Sequence, residues 1–280
     1  MSDDGDALGR LVSLLDIERV EVDIFRGANP GSSPGRVFGG QVAAQALRAA
    51  GVTVEADHRA HSLHSYFMRP GRPGVPIVYR VERIRDGRSF TTRRVVAIQQ
   101  GEAIFNLDAS FQRAEDGLDH EVAMPVGVPD PESLPSREHG GWHHGPMDER
   151  DVPAPVAPGG DGRVAARQVW VRAAGELPDE PALHACVIVY LSDMGPTGAA
   201  RHPHRASVPR EAFRNASLDH AVWFHRAARA DDWLLYTLEP VSTGGGRGLA
   251  WGTMHTRAGR LAAVVSQEVL LRVRRRNSEG

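Results

Sequence analysis

The sequence predicts an α+β fold of two tandem units, each an antiparallel sheet wrapped around a central helix. Three observations predict it. First, Pro181 to Gly195 (PALHACVIVYLSDMG) reads as a helix apolar on nearly every side: Leu183, Cys186, Val187 and Tyr190 make one face, Ala185, Ile188 and Val189 another. A helix without a polar face must be surrounded by protein. Second, in Ala103 to Arg113 the residues Ala103, Phe105, Leu107, Ala109 and Phe111 share one face and Asn106, Asp108, Ser110 and Gln112 the other, the period of a half-buried strand. Third, the order strand, small or apolar helix, four strands occurs twice, at a spacing of roughly 155 to 160 residues.

The elements follow in order. LGRLVSLLDI (8–17) suggests a short amphipathic helix, Val20 to Phe25 alternates as a strand, and RGANPGSSPGR is a loop by composition. Phe38 to Gly51 (FGGQVAAQALRAAG) is a helix whose small side chains let a sheet approach closely. His61 to Met68, Ile77 to Arg83, Ser89 to Gln99 and Ala103 to Arg113 are strands, with Asp86-Gly87 as a hairpin turn. From 114 to 162 repeated prolines interrupt any apolar period, so this stretch is a linker. Its His139, His143 and His144 lack the partners of a metal motif. Val164 to Val171, Leu218 to Phe224, Trp233 to Val241, Gly248 to His255 and Leu261 to Arg272 supply the second set of strands, with Arg257-Ala258-Gly259 as the final turn. The domains expected are an N-terminal unit, 1–113, the linker, 114–162, and a C-terminal unit, 163–280.

Bulk properties narrow the partners. A chain of 280 residues with a formal net charge of -2 carries no electrostatic footprint for nucleic acid. The basic end, Arg272 and Arg274 to Arg276, reads as a solvated tail. No apolar run approaches the roughly 20 residues of a membrane span. The acidic MSDDGDALGR has no n-region or h-region of a signal peptide. The single cysteine, Cys186, excludes an internal disulfide and fits a small buried hydrophobe. A cytoplasmic protein without metal or other cofactor is expected.

The repeat isolates what differs between its copies. Aligning Gly51 with Gly195 sets Ala49 opposite Asp193; aligning Gly101 with Gly259 sets Ala109 opposite Gln267. Helical spacing puts Asp193 beside Val189 and Tyr190. Period two puts Gln267 in a row with Leu261, Ala263, Val265, Val269 and Leu271. The plainer readings are an acid reaching water over the helix end and a core amide satisfied by backbone. An acid and an amide that each replace an alanine on a buried face need a further reason, and a functional pair supplies one. Ser217 starts the strand after the acid's helix and joins them.

VFGGQVAAQAL (37–47), HSLHSYFMRPG (61–71), VERIRDGRSFTTRRVVAIQQG (81–101), YLSDMG (190–195), SLDHAVWFHR (217–226) and SQE (266–268), in this order, resemble the acyl-CoA thioesterase II family. The resemblance spans nearly the whole chain apart from the first residues and the linker. It implies a double hotdog fold and hydrolysis of acyl-CoA to free acid and coenzyme A. It also implies a catalytic Asp at Asp193, a catalytic Gln at Gln267 and a catalytic hydroxyl, usually Thr, at Ser217. It allows a homo-oligomer.

No G-x-S-x-G elbow is present, and Cys186 lies inside an apolar helix, a poor setting for a thiolate. Water is therefore the expected nucleophile. Asp193 would accept its proton, with a pKa raised by burial, while Ser217 and Gln267 orient it. Gly40 and Gln41, opening the first-half helix, are candidates to face the oxyanion with backbone N–H groups. Arg88, with Arg93 and Arg94, is a candidate for coenzyme A phosphates, and His64 completes the candidate substrate-binding set; solvated arginines and a packed strand histidine are the competing readings. An enoyl-CoA hydratase would want an Asp–His pair, and the only tempting one, Asp219-His220, points to opposite faces of a strand. A non-catalytic acyl-CoA sensor is the remaining alternative.

Overall fold

The computed structural model describes residues 3–30, 35–137, 146–153 and 167–274. His139, His143 and His144 lie outside them, as do Arg275 and Arg276. In chain order the elements are α1 (Asp3–Leu15), β1 (Glu18–Glu21), β2 (Ile24–Gly27), α2 (Gly39–Gly51), β3 (His58–Phe67), β4 (Ile77–Asp86), β5 (Phe90–Gln99) and β6 (Glu102–Arg113). They continue with β7 (Met147–Asp151), β8 (Arg167–Ala173), α3 (Pro181–Ser192), α4 (Pro196–Arg201), β9 (Phe213–Ser217), β10 (Asp219–Phe224), β11 (Leu234–Gly244), β12 (Arg247–Thr256) and β13 (Leu261–Val273).

The strands form one antiparallel sheet in the order β1-β2-β4-β5-β6-β3-β10-β13-β12-β11-β8-β7. The order reads the same from either end once β10 is matched with β3, β13 with β6, β12 with β5, β11 with β4, β8 with β2 and β7 with β1. The two halves therefore join at the β3–β10 pair, where Ser65 faces His220 across the ladder. Fusing the half-sheets pairs an edge of each, and unpaired edges are a liability. Each half wraps one helix: this is the double hotdog arrangement.

The two helices pack on each other. Gly40 at the start of α2 meets Asp193 at the end of α3, and Arg48 near the end of α2 pairs with Glu180 before α3, so the helices are antiparallel. Ala43, Ala44, Ala46, Ala49 and Ala50 of α2 are fully buried. Val187, Val189, Tyr190 and Leu191 of α3 are fully buried as well. Burying an apolar side chain stabilises by about 1.5 to 3 kcal/mol, so this helix pair anchors the core.

Three expectations change. Val20 to Phe25 is not one strand. Asp23, at φ 55, turns the chain between β1 and β2, a conformation Asp tolerates better than most residues. The 114–162 stretch is not free of regular structure, since it carries β7, paired with β8. Its inward residues are Met147 and Glu149, and Glu149 is held by Arg167 at 2.7 Å, so a buried carboxylate hides the alternation. The stretch also seats Leu134 and Val152 against Trp170, Trp233 and Leu235 in a second small core. Finally, Ser217 ends β9 rather than starting the next strand. β9 and β10 pair in succession with the two ends of β13, and Ser217 lies next to the break between them.

Candidate active site

The site begins where α3 stops. Asp193 caps the helix; Gly195, at φ 137, and Pro196 then turn the chain into α4. Oδ2 of Asp193 accepts a hydrogen bond from the Gly40 N–H at 2.8 Å. Two glycines make that approach possible. A Cβ at Gly39 would lie 2.7 Å from Asp193 Oδ2, and one at Gly40 would lie 2.6 Å from the Tyr190 carbonyl oxygen. The FGGQ motif therefore lets the start of α2 touch the end of α3. Phe38 meets Tyr190 edge to face, with ring centres 4.9 Å apart, beside the carboxylate's cleft. Burial pushes the Asp193 carboxyl up from its ordinary 3.8 to about 6, against the downward pull of the Gln267 amide, the Gly40 N–H and Arg36.

Gln267, fully buried on β13, bonds to the other members of the site. Its Nε2 donates to Ser217 Oγ at 2.8 Å and is also in hydrogen-bonding reach of the Asp193 carboxylate. Its Oε1 lies 2.6 Å from His220 Nδ1. The reverse orientation would set an oxygen against the carboxylate. Burial holds the His220 imidazole down from 6.5 to about 4, so it is neutral at physiological pH. An amide oxygen only accepts, so Nδ1 carries the proton and Nε2 accepts. The Ser192 hydroxyl, 2.7 Å from Nε2, shares its one proton between that nitrogen and the Val189 carbonyl oxygen, to which it donates at 2.8 Å. A chain of bonds thus runs from Ser192 through His220 and Gln267 to Ser217 and Asp193, and it fixes which way the amide faces.

Asp193 and Phe38 line a cleft of about 1280 Å³. Arg201, Arg205 and Arg210 also line it, and among the described residues none of the three has a carboxylate within ion-pair distance. Burial and the neighbouring Arg210 hold the Arg201 guanidinium below its usual range. Asp151, paired with Arg137 and Arg167, and Glu211 line the cleft as well, so Arg201, Arg205 and Arg210 are the cations placed to meet an anionic ligand.

Of the residues expected from the sequence, Asp193, Ser217, Gln267 and Gly40 converge. Gln41 follows Gly40 in the first turn of α2; its side chain is fully buried, and its Oε1 has no partner among the described residues. Neither His64 nor Arg88 lines the cleft. His64 is exposed, on the opposite strand face from buried Leu63 and Ser65, with its ring edge-on to Trp223 at 5.0 Å. Arg88 sits in the turn between β4 and β5. Arg93 is buried and committed to Thr53, the Arg85 carbonyl and Asp86, and Arg94 pairs with Asp108 at 2.9 Å. His220, Ser192 and the Arg201 cluster are the residues that sequence reasoning does not assign. Period two could have found His220, which shares the inward face of β10 with buried Val222. Asp219 faces the other way and accepts from the Glu268 N–H at 2.6 Å.

Comparison with known proteins covers both halves of the chain. The family description "Acyl-CoA thioesterase" matches residues 147–270, and "Acyl-CoA thioesterase N-terminal domain" matches 29–112. The mouse acyl-coenzyme A thioesterase 8 is 38% identical over 99% of this chain and 95% of its own. The acyl-CoA thioesterase 2 of Haemophilus influenzae is 36% identical over 95% of this chain and 98% of its own. Among solved structures, an acyl-CoA thioesterase II from Mycobacterium marinum superposes with a TM-score of 0.84 at 45% identity, covering 94% of this chain and 98% of that one.

Proposed function

The chain belongs to the acyl-CoA thioesterase family, and from that premise we propose that it cleaves acyl-CoA with a water molecule aimed by Asp193, Ser217 and Gln267. Hydrolysis of the acyl-CoA thioester follows from the family. The use of these three groups is our reading. It is carried by one observation: a carboxylate raised to about 6 shares one amide with a hydroxyl beside a cleft where Arg201, Arg205 and Arg210 have no carboxylate partner among the described residues.

In this reading the water gives a proton to Asp193 as its oxygen attacks the thioester carbonyl carbon. Ser217, held by Gln267, keeps that oxygen in line. The carbonyl oxygen becomes an oxyanion at the positive end of α2. The Gly40 N–H is already taken by Asp193, so the Gln41 N–H, another first-turn amide without an intrahelical acceptor, is the donor. The intermediate collapses to free acid and coenzyme A thiolate, which takes the proton from Asp193. Arg201, Arg205 and Arg210 hold the phosphates of coenzyme A. The N-terminal unit, 1–113, contributes the amides and the C-terminal unit, 163–280, the three side chains, with 114–162 joining them. The cytoplasm is the proposed compartment, in keeping with a lone buried thiol, Cys186, pushed up to about 12.

No observation favours the hydratase reading: Asp219 is bound to the Glu268 amide, and both nitrogens of His220 are already occupied. The test is thiol release from a series of acyl-CoA chain lengths. Asp193→Asn should lower kcat by about 10²- to 10⁴-fold, the worth of a positioned base, with acyl-CoA binding retained. Wild-type kcat should fall about tenfold per pH unit below about pH 6, as the carboxylate is protonated. Unchanged turnover in the variant removes Asp193 as the base.

A further inference from the structure

Ion pairs are unevenly spread over the second half. Every arginine from Arg226 to Arg260 has a carboxylate partner: Arg226 and Arg260 pair with Glu121, Arg229 with Asp231, Arg247 with Glu268 and Arg257 with Asp130. The arginines on either side of that run differ. Arg201, Arg205, Arg210 and Arg214 before it, and Arg272 and Arg274 after it, have no carboxylate partner among the described residues.

The fold brings these six together. β9 runs along the end of β13, and Arg214 stands directly opposite Arg272 in the ladder. Just past β13, the Arg274 N–H donates to the Ala212 carbonyl oxygen at 2.8 Å, which sets Arg274 beside the turn Arg210–Ala212. Arg210 in turn crowds Arg201 on the wall of the catalytic cleft. The group therefore wraps β9, a strand that pairs only with β13. Asn215 lines the cleft and Ser217 reaches Gln267, so alternation turns Arg214, and Arg272 with it, to the other side of the strand. Arg272 lies along the β11–β12 turn, its Cγ 3.6 Å from the place a Cβ on Gly246 would take. The basic chain end expected to be a solvated tail thus begins as a held part of the sheet.

On its own this arrangement is unfavourable. Side chains directly opposite on neighbouring strands have Cβ atoms about 4.5 to 5.5 Å apart, and like charges there are destabilising. The one acid in 201–214 is Glu211, which makes no ion pair among the described residues. The whole chain carries a formal net charge of -2, so the positive excess is local.

We propose that this rim docks on an anionic lipid surface, with the catalytic cleft opening beside the headgroups. Lipid phosphates answer Arg214, Arg272 and Arg274, none of which lines the cleft. The charges surround a strand edge, a convex shape that a lipid surface can meet on both sides, and neither large cavity of the molecule offers these three arginines a groove for a protein partner. Val273, between Arg272 and Arg274, is exposed and supplies an apolar side chain to sit among headgroups. Long acyl chains partition into bilayers, so a cleft held there receives acyl thioesters where they collect. The inference rests on where the cleft lies, not on the roles of Asp193, Ser217 or Gln267.

The experiment is co-sedimentation of the full-length protein with vesicles, in the absence of substrate. Wild type should pellet with vesicles of mixed phosphatidylcholine and phosphatidylglycerol and stay in solution with phosphatidylcholine alone. It should be released at about 1 M salt, where the Debye length falls to about 3 Å. The triple variant Arg214→Gln, Arg272→Gln, Arg274→Gln should bind the mixed vesicles about 10²-fold more weakly, from about fivefold for each basic residue at an anionic surface. It should hydrolyse dissolved butanoyl-CoA with wild-type kcat and KM. If the triple variant does not fold, Arg214→Gln and Arg274→Gln singly, each about fivefold weaker, decide. No pelleting of wild type, or equal pelleting with neutral vesicles, overturns the proposal. Equal binding by the variants also overturns it and leaves these arginines as guards of the β9 edge. So does a wild type that ignores vesicles while the triple variant raises KM for an acyl group carried on an acidic protein, which would make the partner a protein.

Discussion

The two halves of the molecule bury a helix in a half-sheet of the same strand order, yet only one of them carries reactive groups. Where the second half has Asp193, Gln267 and His220, the first has Ala49, Ala109 and Ser65, all buried. Ser65 and His220 are direct partners across the β3–β10 ladder, so the two halves exchange roles across that pair. Ser65 spends its hydroxyl on the His220 carbonyl oxygen at 2.7 Å, a structural bond, while the ring of His220 reaches the Gln267 amide. The second half also carries an insertion, α4 and β9, that brings the arginine cluster to the cleft and Ser217 to Gln267. The difference teaches that burial alone does not disable a repeat. The first half has alanines where the second has its acid and amide, and both halves have the same helix packing.

The sharpest way to break this contrast is to make the second half copy the first at one position. Gln267→Ala reproduces Ala109, frees Ser217 and removes an amide from beside Asp193. Turnover measured by thiol release should fall by about 10²-fold or more, the usual loss when a positioned hydrogen-bond donor is deleted. A variant with wild-type kcat would mean that the amide is only core filling.

A second contrast is energetic. Ala49 costs its helix nothing, whereas Asp193 is held in its less comfortable form. A carboxyl whose pKa is raised on folding adds stability that is complete below its unfolded value, 3.8, and is lost as pH rises through about 6. At pH 8 the charged group therefore costs at most about 3 kcal/mol, at about 1.4 kcal/mol per pKa unit, and less where the cleft admits water. Asp193→Asn should be the more stable protein at pH 8 by denaturant unfolding, with the gain shrinking toward zero near pH 4. A less stable variant at pH 8 would recast Asp193 as a structural cap of α2.

His220→Ser copies Ser65 and leaves Gln267 Oε1 buried without its donor. The expected cost is about 2 kcal/mol of stability and roughly a tenfold fall in kcat, with KM for a short acyl-CoA unchanged, because His220 acts through Gln267 and does not touch substrate. Stability lost with kcat intact would make the histidine a packing residue alone.

How far these contrasts are legible in the sequence depends on what each residue stands beside. Asp193 and Gln267 are legible because each is polar on a face whose other members are apolar, and the repeat sets an alanine opposite each. The strand order of the halves is legible for the same reason, since period two and helical runs recur. His220 is harder, because the neighbouring Asp219 draws attention to a pair that the strand splits between two faces. β7 is hidden by the inward Glu149, whose charge is answered by Arg167 from a distant position. Arg201, Arg205 and Arg210 belong to a short helix and the turn after it, with no period to reveal a shared face. They become a cluster only when the chain folds.

The smallest expected effect separates those arginines from the ones the strands suggested. Arg88 lies in the β4–β5 turn, while Arg201 lines the cleft beside Asp193. Exposed ion pairs are worth about 0 to 1 kcal/mol, and a partly buried guanidinium crowded by Arg210 stands at the upper end of that range. Arg201→Gln should therefore raise KM for acyl-CoA about threefold to fivefold at low salt, leave kcat nearly unchanged, and lose part of that difference as ionic strength shortens the Debye length. Arg88→Gln should leave both constants alone. If Arg88→Gln raises KM and Arg201→Gln does not, the phosphates lie over the first half-sheet, and the second half does not hold the substrate's charge.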